Sequence, residues 1–97
     1  MTKQQYLLVK LAEECSELTK RATKMICFGN DEKYKDNEPN YKRLIDEYND
    51  VVATIKLLKI EGVFKEIDDL IDPEKIRLKM EKVERYMKLS KERGLLN

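Results

Sequence analysis

The chain has 97 residues, of which 41% are apolar and 40% charged, with a net charge of +1. This length supports one domain with a modest core, and the nearly balanced charge argues against binding nucleic acid or a membrane through global attraction. No apolar run approaches the roughly 20 residues that span a bilayer, and no signal-peptide pattern is seen, so the expected location is the cytoplasm.

The first predicted helix covers residues 2–28, and Thr2 with Gln5 forms a candidate capping box at its start. Apolar residues recur every three or four positions and predict a core-facing stripe. The members of this apolar stripe are Leu8, Leu11, Cys15, Leu18, Ala22 and Met25. The polar stripe beside it consists of Lys10, Glu14, Glu17, Arg21 and Lys24. Taken alone, that polar stripe is typical of ion pairs on a solvated face.

The two cysteines, Cys15 and Cys27, lie twelve residues apart on this helix. That separation is about 18 Å along a helix axis, which excludes a disulfide between them. Buried, reduced thiols are therefore expected.

A polar, turn-rich loop is predicted at residues 29–40, where Gly29 is suited to end the first helix. Tyr34 is the single aromatic residue of this loop, and a solvent-facing position is favoured over a lid above a site.

The second helix is predicted from Pro39 to Glu61. Its apolar face comprises Leu44, Ile45, Tyr48, Val51, Val52, Ile55 and Leu58, and its polar stripe comprises Arg43, Glu47, Asp50 and Thr54.

Gly62 predicts the end of the second helix, and residues 63–70 predict a short helical turn. Asp72 and Pro73 are an N-cap residue followed by proline at the first helical position, so a last helix is predicted to about Arg93. Between residues 75 and 93 there are eight bases and three acids. This excess is explained either by a solvated basic face or by a surface that contacts phosphate.

Helices of this length predict an all-α, antiparallel helical bundle in a single domain, residues 1–97. Three long helices give one chain few places to bury such wide apolar faces. Homo-oligomerisation is therefore expected to complete the bundle.

Each of the first two predicted helices carries two acids three residues apart, Glu14 with Glu17 and Glu47 with Asp50. Such pairs project from one helix face, where like charges repel each other unless a cation is bound. The chain has no histidine, and CxxC, P-loop and GxGxxG motifs are also missing. The absence of histidine excludes His-based catalysis and His-ligated zinc. What remains is an all-oxygen site for Mg²⁺ or Mn²⁺, in which a substrate phosphate supplies further ligands to the metal.

The segments Glu13-Glu14-x-x-Glu17 and Glu47-x-x-Asp50 resemble the EExxE and ExxD motifs of the MazG-like all-α nucleoside triphosphate pyrophosphohydrolases. The flanking residues 11–18 and 46–55 agree with that pattern, and the resemblance covers about residues 6–60. The 29 residues between Glu17 and Glu47 are at the long end for the family.

The resemblance implies hydrolysis of an NTP or dNTP between its α and β phosphates, which releases the monophosphate and pyrophosphate. It implies Mg²⁺ held by Glu14, Glu17, Glu47 and Asp50, in a homodimer or homotetramer. The candidate substrate-binding residues are Lys24, Asn49, Lys79, Lys82 and Arg85. Cleavage of dUTP or phosphoribosyl-ATP is a related activity on the same scaffold.

A non-catalytic alternative is a helical interaction or regulatory module that binds a partner helix or RNA through residues 75–93. A bundle merely stabilised by cations, without turnover, is a third interpretation. The sequence predicts no preference for a particular base or sugar.

Overall fold

The computed structural model describes residues 1–33 and 37–97, and its regular structure is helical. The helices are α1 (Lys3–Phe28), α2 (Asn40–Ile60) and α3 (Pro73–Glu92). Within the two described ranges there is no β-strand, so the predicted all-α class is confirmed. Tyr34 lies outside the described residues.

Local capping interactions explain where the helices begin. The Thr2 hydroxyl accepts a hydrogen bond from the Gln5 backbone N–H at 3.1 Å, and the Gln5 side-chain oxygen accepts one from the Thr2 N–H at 2.8 Å. The predicted capping box is therefore present. The Asp72 carboxylate accepts hydrogen bonds from the first turn of α3, with Pro73 at its first position.

The chain forms two compact units, residues 1–65 and 66–97. The first unit is an antiparallel hairpin, because the start of α1 contacts the end of α2. Gln4 donates a side-chain hydrogen bond to the Glu61 carbonyl oxygen at 2.9 Å, and at the other end of the hairpin Asn40 donates one to the Gly29 carbonyl oxygen at 2.9 Å. Among the residues that the structure describes in this hairpin, Leu7 and Leu58 are the buried apolar side chains.

The orientation of α1 corrects two expectations from its apolar stripe. Cys15 and Cys27 are free but exposed, not buried. Leu8 and Ala22 are exposed as well, whereas all five members of the polar stripe of α1 are partly buried. The physical reason is that α1 packs against one neighbouring helix, α2, within the hairpin. The polar stripe of α1 lies closer to α2 than do the exposed members of its apolar stripe.

The short helical turn predicted at residues 63–70 is not formed. Residues 61–66 are turns, with Lys65 at a φ of +47°, and residues 67–69 have no regular structure. Ile67 is 56% exposed and Ile71 is 60% exposed. Phe64 and Leu70 of this segment are only partly buried. Because short helices depend on buried apolar anchors, the packing of this segment is too limited to hold a helix.

The second unit contains α3, all of whose residues are described and none of which is buried. Its apolar stripe of Ile76, Met80, Val83 and Met87 is exposed. Arg77 forms ion pairs with Glu74 and Glu81, so part of the basic face is neutralised within the helix.

Among the described residues, no helix combines the length and the apolarity needed to cross a bilayer.

Candidate metal centre

Three carboxylates from α1 and α2 converge midway along the hairpin. Glu14 on α1 and Glu47 and Asp50 on α2 each place an oxygen atom within 4.8 Å of the oxygens of the other two. Glu14 and Glu47 are partly buried and Asp50 is exposed. Glu14, which precedes Glu47 by 33 residues and Asp50 by 36, therefore joins them in one cluster between the two helices.

The local structure of α2 directs Glu47 and Asp50 toward α1. The two residues are three positions apart, so a continuous helix presents both from one side. Thr54, one turn beyond Asp50, is buried, and its hydroxyl donates a hydrogen bond to the Asp50 carbonyl oxygen at 2.9 Å. Burial of Thr54 keeps this side of α2 against its neighbour.

The environment of Glu47 disfavours its negative charge. Burial raises the pKa of the Glu47 carboxyl above its usual value, and the charges of Asp50, Glu14 and Glu17 raise it further, while Arg21 acts in the opposite direction. Glu17 is not among the three residues with converging oxygens, yet its charge acts on Glu47. All four predicted acids therefore contribute to one electrostatic environment.

The candidate substrate-binding residues near the acids differ in their surroundings. Lys24 is partly buried and lines a cavity near the loop end of the hairpin. Asn49 is exposed, and its side-chain amide donates a hydrogen bond to the Ile45 carbonyl oxygen of its own helix at 2.8 Å. Glu13, the additional acid of the first motif, is exposed and pairs with Lys10 at 3.1 Å.

The other three candidates, Lys79, Lys82 and Arg85, are exposed residues of α3 in the second unit. The Lys82 ammonium lies 6.0 Å from the centre of the Tyr86 ring. Arg85 lines a groove together with Glu81, Glu84 and Lys88. The predicted basic surface thus includes acids.

Sequence reasoning missed Arg21 as a candidate site residue. Its Nε atom is buried and has no hydrogen-bond partner among the described residues, and its charge acts on Glu47. It lines the same cavity as Lys24. The available signal was its position on the polar stripe, four residues after Glu17.

Comparisons with protein-family models, curated proteins and solved structures find no match for this chain. The resemblance to the MazG-like enzymes therefore depends on the two acidic motifs. The arrangement of their carboxylates is the structural observation that bears on function.

Proposed function

We propose that this protein is a Mg²⁺-dependent nucleoside triphosphate pyrophosphohydrolase that cleaves an NTP or dNTP between the α and β phosphates. The observation that carries this proposal is the convergence of one oxygen each from Glu14, Glu47 and Asp50 within 4.8 Å. The resemblance of their two sequence motifs to those of MazG-like enzymes supplies the reaction type.

The donor atoms of this cluster suit a hard divalent cation. Two oxygens bound to one Mg²⁺ at its usual ligand distance are at most about 4.2 Å apart, and the spacing here needs little adjustment to reach that value. The cluster offers carboxylates alone, which favour Mg²⁺ or Mn²⁺ over softer metals. Glu17 supplies a fourth acid beside it.

The four acids would act together in the proposed reaction. Glu14, Glu47 and Asp50 would hold the metal, and Glu17 would complete its ligand set. The bound metal would supply Lewis acidity to the phosphate oxygens and lower the pKa of a water ligand. Hydrolysis would join a water oxygen to the α-phosphorus and break the bond from that phosphorus to the oxygen bridging the β-phosphate. Pyrophosphate would leave, and the proton lost by the water would pass to the solvent.

A homodimer or homotetramer in the cytoplasm is part of this proposal. The hairpin exposes apolar side chains on both helices, among them Leu8 on α1 and Ile45 and Tyr48 on α2. Exposed apolar residues on neighbouring helical turns are typical of surfaces that pack against another chain. A second copy of the hairpin would bury them while the acids stay between α1 and α2.

A second candidate function is a non-catalytic interaction module. The observation that favours it is α3, which exposes its apolar stripe and its bases together and buries none of its residues. A partner helix or an RNA would then be the ligand, and nucleotide turnover would not occur.

The decisive experiment is a panel of common ribo- and deoxyribonucleoside triphosphates, assayed for pyrophosphate release with Mg²⁺ and with Mn²⁺. At least one substrate should be turned over, and removing the metal with EDTA should abolish release. Asp50→Asn should lower activity by about 100-fold or more, because it removes a ligand of the metal.

The matched control is Asp46→Asn, which changes the same residue type one turn earlier on α2. Asp46 is exposed and pairs with Lys42 at 3.8 Å, outside the acid cluster. This variant should retain wild-type activity. Pyrophosphate release from none of the triphosphates, with either metal, would contradict the enzymatic proposal and favour the interaction module.

A further inference from the structure

A cavity of about 290 Å³ lies near the loop end of the hairpin. It is lined by Arg21, Lys24, Phe28, Glu32 and Asn40. Two of these side chains are cationic and one is anionic, so the part of the lining formed by described residues has a net positive charge. This charge is opposite to that of the acid cluster farther along the same helices.

Arg21 connects the cavity to the acid cluster. It follows Glu17 by four residues, about 6 Å along the axis of α1. Side chains on a helix lean toward its N-terminus, and for Arg21 and Lys24 this direction leads back toward Glu14 and Glu17.

The Arg21 Nε atom is buried without a hydrogen-bond partner among the described residues. A buried guanidinium donor that lacks an acceptor costs free energy, and such groups in native proteins are commonly completed by a ligand, an ion or water. Guanidinium groups bind phosphate oxygens in a planar, two-pronged geometry. The Arg21 Nε donor is therefore suited to binding an anion with several oxygens.

We infer that this cavity binds the β and γ phosphates of the triphosphate, with Arg21 and Lys24 as their cationic partners. The inference rests on the proposed function, because it assumes that the α-phosphate lies at the acid cluster. It assigns the leaving-group contacts to α1 and not to the bases of α3. Cations beside the departing pyrophosphate stabilise the charge that develops when the bond breaks.

The test is the binding of inorganic pyrophosphate to the full chain, measured by isothermal titration calorimetry with Mg²⁺ present. Arg21→Met and Lys24→Met should each raise the dissociation constant by about tenfold or more, because each removes a charged hydrogen-bond partner. Arg21→Lys should give an intermediate value, since it keeps the charge and loses the planar geometry. Circular dichroism shows whether each variant remains helical.

The matched control is Lys20→Met, which makes the same change as Lys24→Met one turn earlier on α1. Lys20 is exposed and is not part of the cavity lining, so this variant should bind pyrophosphate like the wild type. Mg²⁺ titrated alone should bind Lys24→Met and Lys20→Met with affinities within about twofold of wild type, because the acid cluster is unchanged in them. Arg21→Met should bind Mg²⁺ no more weakly than wild type, because the variant removes a positive charge near the cluster.

Unchanged pyrophosphate affinity in both Arg21→Met and Lys24→Met would overturn the inference. So would an equal loss of affinity for Mg²⁺ alone, since Arg21 would then act through the metal site. Weakened binding of a nucleoside monophosphate with normal binding of pyrophosphate would place the nucleoside in the cavity instead. Failure of the proposed function gives a different result, namely pyrophosphate binding without turnover of any triphosphate.

Discussion

Glu47 shows at the scale of one residue how the candidate site opposes folding. Its carboxyl is charged near neutral pH in the unfolded chain, whereas in the folded chain burial and the charges of Asp50, Glu14 and Glu17 raise its pKa. The folded state therefore binds the proton more tightly than the unfolded state. Below both pKa values Glu47 carries no charge and imposes no penalty, and the penalty grows as pH rises through the folded pKa.

The variant Glu47→Gln should therefore increase the stability of the metal-free protein at about pH 7, by roughly 0.5–1 kcal/mol, because it removes repulsion from several neighbouring acids. At about pH 3.5, where most carboxyls are protonated, the variant and the wild type should have similar stability. Urea unfolding in EDTA at both pH values measures the difference. A variant less stable than wild type at neutral pH would show that Glu47 contributes a stabilising contact.

The same variant should lose pyrophosphate release if the acid cluster holds Mg²⁺. A variant that is more stable but inactive is expected when clustered acids repel each other unless their cation is bound.

At the scale of the elements, helix boundaries follow from local hydrogen bonds and helix orientation follows from packing. Thr2 and Gln5 satisfy each other's backbone groups at the start of α1, and neither interaction depends on another helix. The rotation of α1 about its axis is different, because it places Glu14 toward α2 and leaves Cys15 exposed.

Replacing Thr2 with alanine should destabilise the hairpin by about 1 kcal/mol, because the first turn of α1 loses its side-chain cap. Urea unfolding at neutral pH measures this loss. The control is Thr23→Ala in the last two turns of α1, where the exposed hydroxyl donates to the Thr19 carbonyl oxygen of the preceding turn. Alanine favours helix there, so Thr23→Ala should be neutral or slightly stabilising. Equal losses in both variants would show that the cap has no special role.

At the scale of the whole molecule, the chain buries few of its apolar residues. Leu7 and Leu58 are the buried apolar side chains among the described residues, while large apolar residues on all three helices remain exposed. A chain of this size with so small a core is marginally stable alone. Association between copies would supply the missing burial, which is why we propose that the protein is an oligomer.

The variant Tyr48→Glu should dissociate that oligomer, because it places a charge among the exposed apolar residues of α2. Sedimentation equilibrium should show a dimer or tetramer for the wild type and a smaller species for the variant. Lys56→Glu, which also adds negative charge at an exposed position of α2, should leave the assembly intact. A monomeric wild type at all concentrations tested would refute the oligomer.

The sequence by itself determined the helical class, the start of each helix to within a residue and the pairing of acids three residues apart. These features depend on neighbours within about one helical turn, so the local pattern was sufficient. Only the tertiary structure decided that Glu14 meets Glu47 and Asp50 and that Cys15 is exposed. It also decided that the buried Nε atom of Arg21 has no hydrogen-bond partner among the described residues. The two stripes of α1 have the same helical period, and the side that faces inward depends on the helix packed against it.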